Sequence, residues 1–107
     1  MNLDAYFVAV EMLRAIKPVL GKIRRQDAEL AMQIRKAAAS VPLNLNEGRR
    51  RVGKDRLHMW RISAGSADEV RACLDVADAW GYVEPEEIEP ALALLDRVLA
   101  MLWRLTH

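Results

Sequence analysis

Apolar residues recur at three- and four-residue intervals along almost the whole chain, the period of one face of a helix. In the first segment Leu3, Tyr6, Phe7, Val10, Leu13, Ile16 and Leu20 form such a stripe. Asn2 stands at the expected N-cap, Pro18 loosens the last turn, and Gly21 marks the predicted end. A second stripe begins near Asp27 and carries Leu30, Ile34, Ala37, Ala38, Val41 and Leu45. The third opens after Gly53 with Leu57, Trp60, Ala64, Ala67, Val70, Leu74 and Ala77. Gly81 suits the residue after a helix, and Pro85, Glu86 and Glu87 suit the first turn of the next. That fourth segment carries Ile88, Leu92, Leu95, Leu99, Leu102 and Trp103. Strand patterns are absent and the connections are short. The pattern predicts an all-α, up-down-up-down four-helix bundle as one domain over residues 1–107.

The stretch "QIRKAAASVPLNLNEGRRRVGK" departs from this regularity. Pro42 removes a backbone donor and presses on the carbonyl of Ala38, at about 3 kcal/mol in a helix interior. Two readings are open. Either helix two kinks at Pro42 and continues to about Arg51, or it restarts with Asn44 as N-cap and Glu47 three residues on. Leu45 keeps the apolar register, which favours the kink. A bend there would carry the polar end of the helix off the bundle axis. Gly48 then lies within the helix at about 1 kcal/mol relative to alanine, a cost explained if something packs closely against it. Small residues in "KAAAS" and "SAGSA" predict close approach of helices two and three.

Those residues carry a resemblance. The run "QIRKAAASVPLNLNEG", with "GSADE" in the third helix and "WGYV" at its end, resembles the bacterial four-helix-bundle family of 23S rRNA intervening-sequence proteins. That family is related in fold to the accessory variability determinant of diversity-generating retroelements. Ser40, Pro42, Asn44, Glu47 and Gly48 match the family pattern, whereas Asn46 stands in place of its usual alanine. The resemblance implies a ring-shaped homopentamer. For the retroelement member it further implies a basic surface that binds nucleic acid and a reverse transcriptase.

Charge adds a candidate site. Up to Arg61 the chain has thirteen Lys and Arg against six acids, and from Ile62 onward three against nine. Such a split points to an anionic partner for the first half, or to the halves complementing each other within one chain or between subunits. The cations concentrate as Arg49, Arg50, Arg51, Lys54, Arg56 and Arg61, opposed within that run only by Asp55. Clustered guanidinium groups suit bidentate contact with phosphate. Lys54, His58 and Arg61 share one stripe that faces away from the core. About five phosphate contacts predict a log–log salt slope near −4.5 on duplex DNA. The alternative is a scaffold whose basic turn docks an acidic protein or a neighbouring subunit.

The other polar residues point to structure. Ser40, Asn44 and Ser66 read as buried hydrogen bonders, Glu69 as a bridge to Arg35 or Asn44, and Gly65 as a close-approach residue. Arg71 reads as an intrahelical partner of Asp68 and Asp75. Trp60, Trp80 and Trp103 read as core or subunit-interface residues rather than base-stacking platforms. Catalysis is not expected, because two histidines supply no nucleophile–His–carboxylate set and no Glu-x-x-His pair. No metal or cofactor is expected. Cys73 has no partner for an internal disulfide, and neither a signal peptide nor a membrane span can be read, so a cytoplasmic protein is the expectation.

Overall fold

In a computed structural model, which describes residues 3–107, four helices account for most of the chain. They are α1 (Asp4–Gln26), α2 (Ala28–Arg49), α3 (Gly53–Ala79) and α4 (Pro85–Thr106). Each packs on its sequence neighbours and α1 also packs on α4, which closes an up-down-up-down bundle of 42 × 22 × 19 Å. No strand occurs among the described residues.

α1 passes through both Pro18 and Gly21 and ends five residues beyond the predicted stop. The expected cap at Asn2 lies outside the described residues, and Leu3 occupies the N-cap position. A single residue, Asp27, joins α1 to α2. Its amide donates to the Ile23 carbonyl at 2.7 Å while its carboxylate accepts from the Leu30 amide at 3.0 Å. One side chain therefore starts α2 where α1 stops. At the α3–α4 link Gly81 adopts φ 78°, and the Tyr82 amide closes back on the Ala77 carbonyl at 2.9 Å. This is a glycine-terminated helix end. Pro85 follows at the first turn of α4, and Glu87 accepts from the Glu84 amide at 2.8 Å.

The core is built on Met12, Ile23, Ile34, Leu45, Leu74, Ile88, Leu95 and Leu102, with Ser63 and Thr106 as its buried polar residues. In α1 the buried face is Ala5, Val8, Ala9, Met12, Ile16, Val19 and Ile23, rotated from the stripe that the large residues suggested. Ala5 and Ala9 are turned inward and buried. Phe7 is left 64 % exposed. Trp103 also leaves its expected stripe and stacks on His107 with ring centroids 3.4 Å apart. Arg71 pairs with Asp96 of α4, not with Asp68 or Asp75, so it joins two helices instead of decorating one.

The end of the bundle that holds the Asp27 link is tied by side chains. Tyr82 donates to Asp27 at 3.2 Å, Gln26 to the Tyr82 carbonyl at 2.8 Å, and Lys22 to Glu87 at 2.8 Å. The Glu84 amide and then the Lys22 ammonium hold the Glu87 carboxyl below the ordinary glutamate range. A depressed folded pKa gives stability that is present above the unfolded value and lost as pH falls through the folded one. The melting temperature of the wild type is therefore expected to fall more steeply than that of Glu87→Gln between roughly pH 5 and pH 3. Parallel melting curves across that window would contradict the pairing.

Candidate nucleic-acid interface

The opposite end contains the basic corner, and its geometry starts from Pro42. α2 runs unbroken past the proline to Arg49, so the restart at Asn44 does not occur. Asn44 instead donates to the Ser40 carbonyl at 2.9 Å and to its hydroxyl oxygen at 2.8 Å. Ser66 of α3 donates to the same hydroxyl oxygen at 2.8 Å. Ser40, Asn44 and Ser66 thus form one hydrogen-bonded cluster across α2 and α3, half-buried where full burial was expected.

From there α3 binds the backbone of α2 step by step. Ser63, fully buried, donates to the Val41 carbonyl at 2.8 Å, and the Trp60 indole donates to the Leu45 carbonyl at 3.1 Å. Arg56 sends Nε to the Gly48 carbonyl at 3.0 Å and an Nη to the Arg49 carbonyl at 3.1 Å. Its guanidinium lies 5.4 Å from the Trp60 ring centroid. The two Arg56 bonds reach the last turn of α2, where a helix end leaves carbonyls without intrahelical partners, whereas Ser63 and Trp60 add a second donor to carbonyls inside the helix. They also hold the last turns of α2 against α3, so the polar end does not leave the bundle.

Gly48 is explained by the same contact. A Cβ there would lie 2.5 Å from Trp60 Cδ1 and 3.3 Å from the Arg56 carbonyl oxygen. Gly65 has a different character: it is exposed, and a Cβ would meet nothing within 4 Å, so close approach to α2 is not its role. Glu69 is exposed and forms no bridge to Arg35 or Asn44 among the described residues.

The cluster of cations divides accordingly. Arg56 is committed to the α2 backbone, and Arg51 pairs with Glu47 at 2.9 Å, one turn back. Arg49 donates to Asn46 at 3.0 Å, a neutral partner that leaves its charge uncompensated. Arg50, Lys54 and Arg61 are exposed and have no ion pair among the described residues. His58 is exposed between Lys54 and Arg61, on the stripe expected from spacing. Val52, 78 % exposed, and Gly53, with φ 59°, turn the chain from α2 into α3. No side chain caps the N-terminus of α3, so its positive end opens on the same corner. Four cations, Arg49, Arg50, Lys54 and Arg61, are thus presented to solvent with Asp55 beside them.

Sequence reasoning missed the clasp made by Arg56, Trp60 and Ser63. Its signal was the recurrence of donors at four- and three-residue spacing opposite Gly48 and the small residues of α2. Cys73 shows no sign of a reactive thiol, since burial, with Glu69 adding to it, pushes its pKa up. Among the described residues no cluster of His, Cys, Asp and Glu could hold a metal ion. No described helix is long and apolar enough to cross a membrane.

The crystal structure of a protein of unknown function from the S23 ribosomal protein family of Bacteroides thetaiotaomicron is similar in fold. The two chains share 16 % identity at a TM-score of 0.84, covering 95 % of this chain and 97 % of the other. No curated protein matches the sequence. The family model for the 23S rRNA-intervening sequence protein matches residues 1–104. With nearly every residue inside that match, the chain belongs to the 23S rRNA-intervening sequence protein family.

Proposed function

We propose that the protein is a noncatalytic, homopentameric nucleic-acid-binding protein that contacts phosphates through the corner between α2 and α3. One observation carries this reading: Arg49, Arg50, Lys54 and Arg61, at the end of α2 and in the first turns of α3, are all exposed with no carboxylate partner among the described residues. The clasp beneath them supports it, because Arg56 and Trp60 tie the two helix ends together and the backbone that carries the exposed cations need not be ordered on binding. Membership of a family named for a segment of 23S rRNA makes RNA the first nucleic acid to test.

The geometry also revises the expected stoichiometry. With Arg56 committed and Arg51 paired, four phosphate contacts per corner give a log–log salt slope near −3.6 on duplex DNA, and near −2.8 on a single strand. A shift assay with single-stranded RNA, duplex RNA and duplex DNA across a salt series is expected to return those values for each engaged corner. Failure to bind any of the three at low salt overturns the nucleic-acid reading. Light scattering tests the assembly separately, and a monomer at micromolar concentration overturns the ring.

A further inference from the structure

A groove of about 570 Å³ runs between α1 and α2, away from the basic corner. Its floor is apolar and low: Leu20, Gly21, Ala28, Ala31 and Met32, the last 51 % exposed. Its rim is cationic, formed by Lys17, Arg24 and Arg35, none of which has an ion pair among the described residues. Nothing within the protomer requires the glycine. A Cβ at Gly21 would meet only the Arg25 guanidinium at 3.9 Å, an ordinary contact. A poor helix residue therefore lies mid-helix at the centre of a groove that its own chain leaves empty.

The outer face of α3 has the converse character. Ile62, Glu69 and Val76 recur every seven residues, as do Gly65, Ala72 and Ala79, and all six are exposed. Such a repeat, apolar at Ile62 and Val76, small at Gly65, Ala72 and Ala79, and broken by the charge of Glu69, resembles the seam by which one helix packs on others. Gly65 is again a mid-helix glycine with open space around it. Asp68, Glu69 and Asp75 give this face a negative charge that Arg71 does not cancel, since Arg71 is bound to Asp96. Asp68 and Asp75 are spaced seven residues apart, as are Lys17 and Arg24, about 10 Å along either helix.

We infer that the α1–α2 groove of one protomer receives the outer face of α3 from a second copy of this chain. The small seam descends onto Gly21, Ala28 and Ala31, and the three carboxylates meet Lys17, Arg24 and Arg35. The two patches differ, so the interface is heterologous and each protomer uses both. Successive copies close into a ring if the rotation that this contact imposes closes. The inference rests on the homo-oligomeric reading above and supplies its contact surfaces.

The test uses Gly21→Leu, which fills the groove, and Gly65→Leu, which fills the seam. Light scattering at tens of micromolar should give an oligomer for the wild type and a monomer for each variant, with helical circular dichroism retained. An equimolar mixture of the two variants should then give a heterodimer and nothing larger, because each retains one intact patch. The exchange Arg35→Glu with Glu69→Arg should restore the assembly that either change alone weakens. A monomeric wild type overturns the homo-oligomeric reading and this interface together. An oligomeric wild type unaffected by both leucines, or variants that stay monomeric when mixed, overturns the interface alone. Loss of RNA binding in Gly21→Leu at unchanged mass also overturns it, by assigning the groove to nucleic acid.

Discussion

Gly48→Ala is expected to lower the stability of the fold by about 3 kcal/mol, even though alanine is the better helix former by about 1 kcal/mol. The added methyl would lie 2.5 Å from Trp60 Cδ1, well inside contact distance. Trp60 is 4 % exposed and its indole donates to the Leu45 carbonyl, so it cannot retreat without stranding a buried donor. The other way out is also closed, because the new atom would press on the Arg56 backbone at 3.3 Å. Overpacking of this kind costs about 1–3 kcal/mol and a stranded donor about as much again, which together outweigh the helical gain. For a domain of this size the melting temperature should drop by roughly 10–20 °C. Gly65→Ala is the control for packing within the protomer, since nothing of its own chain lies near its Cβ, and at concentrations where both are monomeric it should melt at or slightly above the wild type. Equal melting temperatures for Gly48→Ala and wild type would show that Trp60 does not hold the corner.

Removal of charge from the same corner should leave stability alone and remove affinity. The combined substitution of Arg49, Arg50, Lys54 and Arg61 by alanine is expected to reduce the salt slope on duplex DNA by about 3.6 per engaged corner. Between 50 and 200 mM salt that slope alone corresponds to about 150-fold in affinity. Helicity and melting should barely change, because the one hydrogen bond lost is the exposed contact from Arg49 to Asn46. Arg56→Ala should behave in the opposite way. It opens the carbonyls of Gly48 and Arg49 and uncovers Trp60, so it should lower the melting temperature and leave most of the slope intact. If the fourfold variant binds with an unchanged slope, the phosphate contacts lie elsewhere on the molecule. An unchanged slope for nucleic acid together with lost binding to an acidic protein would favour the scaffold reading.

The divergence between Arg56 and its neighbours shows where the sequence could be read and where it could not. Helix number, order and most of the core of α2, α3 and α4 follow from periodicity, because burial selects Ile34, Leu74 and Leu95 at fixed intervals. The α1 stripe misled because a large residue such as Phe7 signals a core face even when Ala5 and Ala9 are the residues turned inward. Gly21 misled because a stop signal is a propensity, and packing of Ile23 carries the helix past it. At the corner, six cations look alike as letters. Only the backbone path decides that Arg56 faces back across two carbonyls while Lys54 faces out. Pro42 could be placed in a helix from Leu45, yet the donors from α3 to nearby α2 carbonyls require the fold to be seen.

The one-residue link at Asp27 sets the limits on length change in this architecture. An insertion beside it would turn α2 by about 100° relative to α1 and swing Leu30, Ala31 and Ile34 out of register with their partners. It would also part the carboxylate from the Leu30 amide and from Tyr82. Lengthening is better tolerated at residues 50–52 or 80–84, where the chain is already non-helical. Two of the three joints can therefore accept extra residues, while the first behaves as a fixed gear tooth that sets the rotation of the whole α2–α3 hairpin.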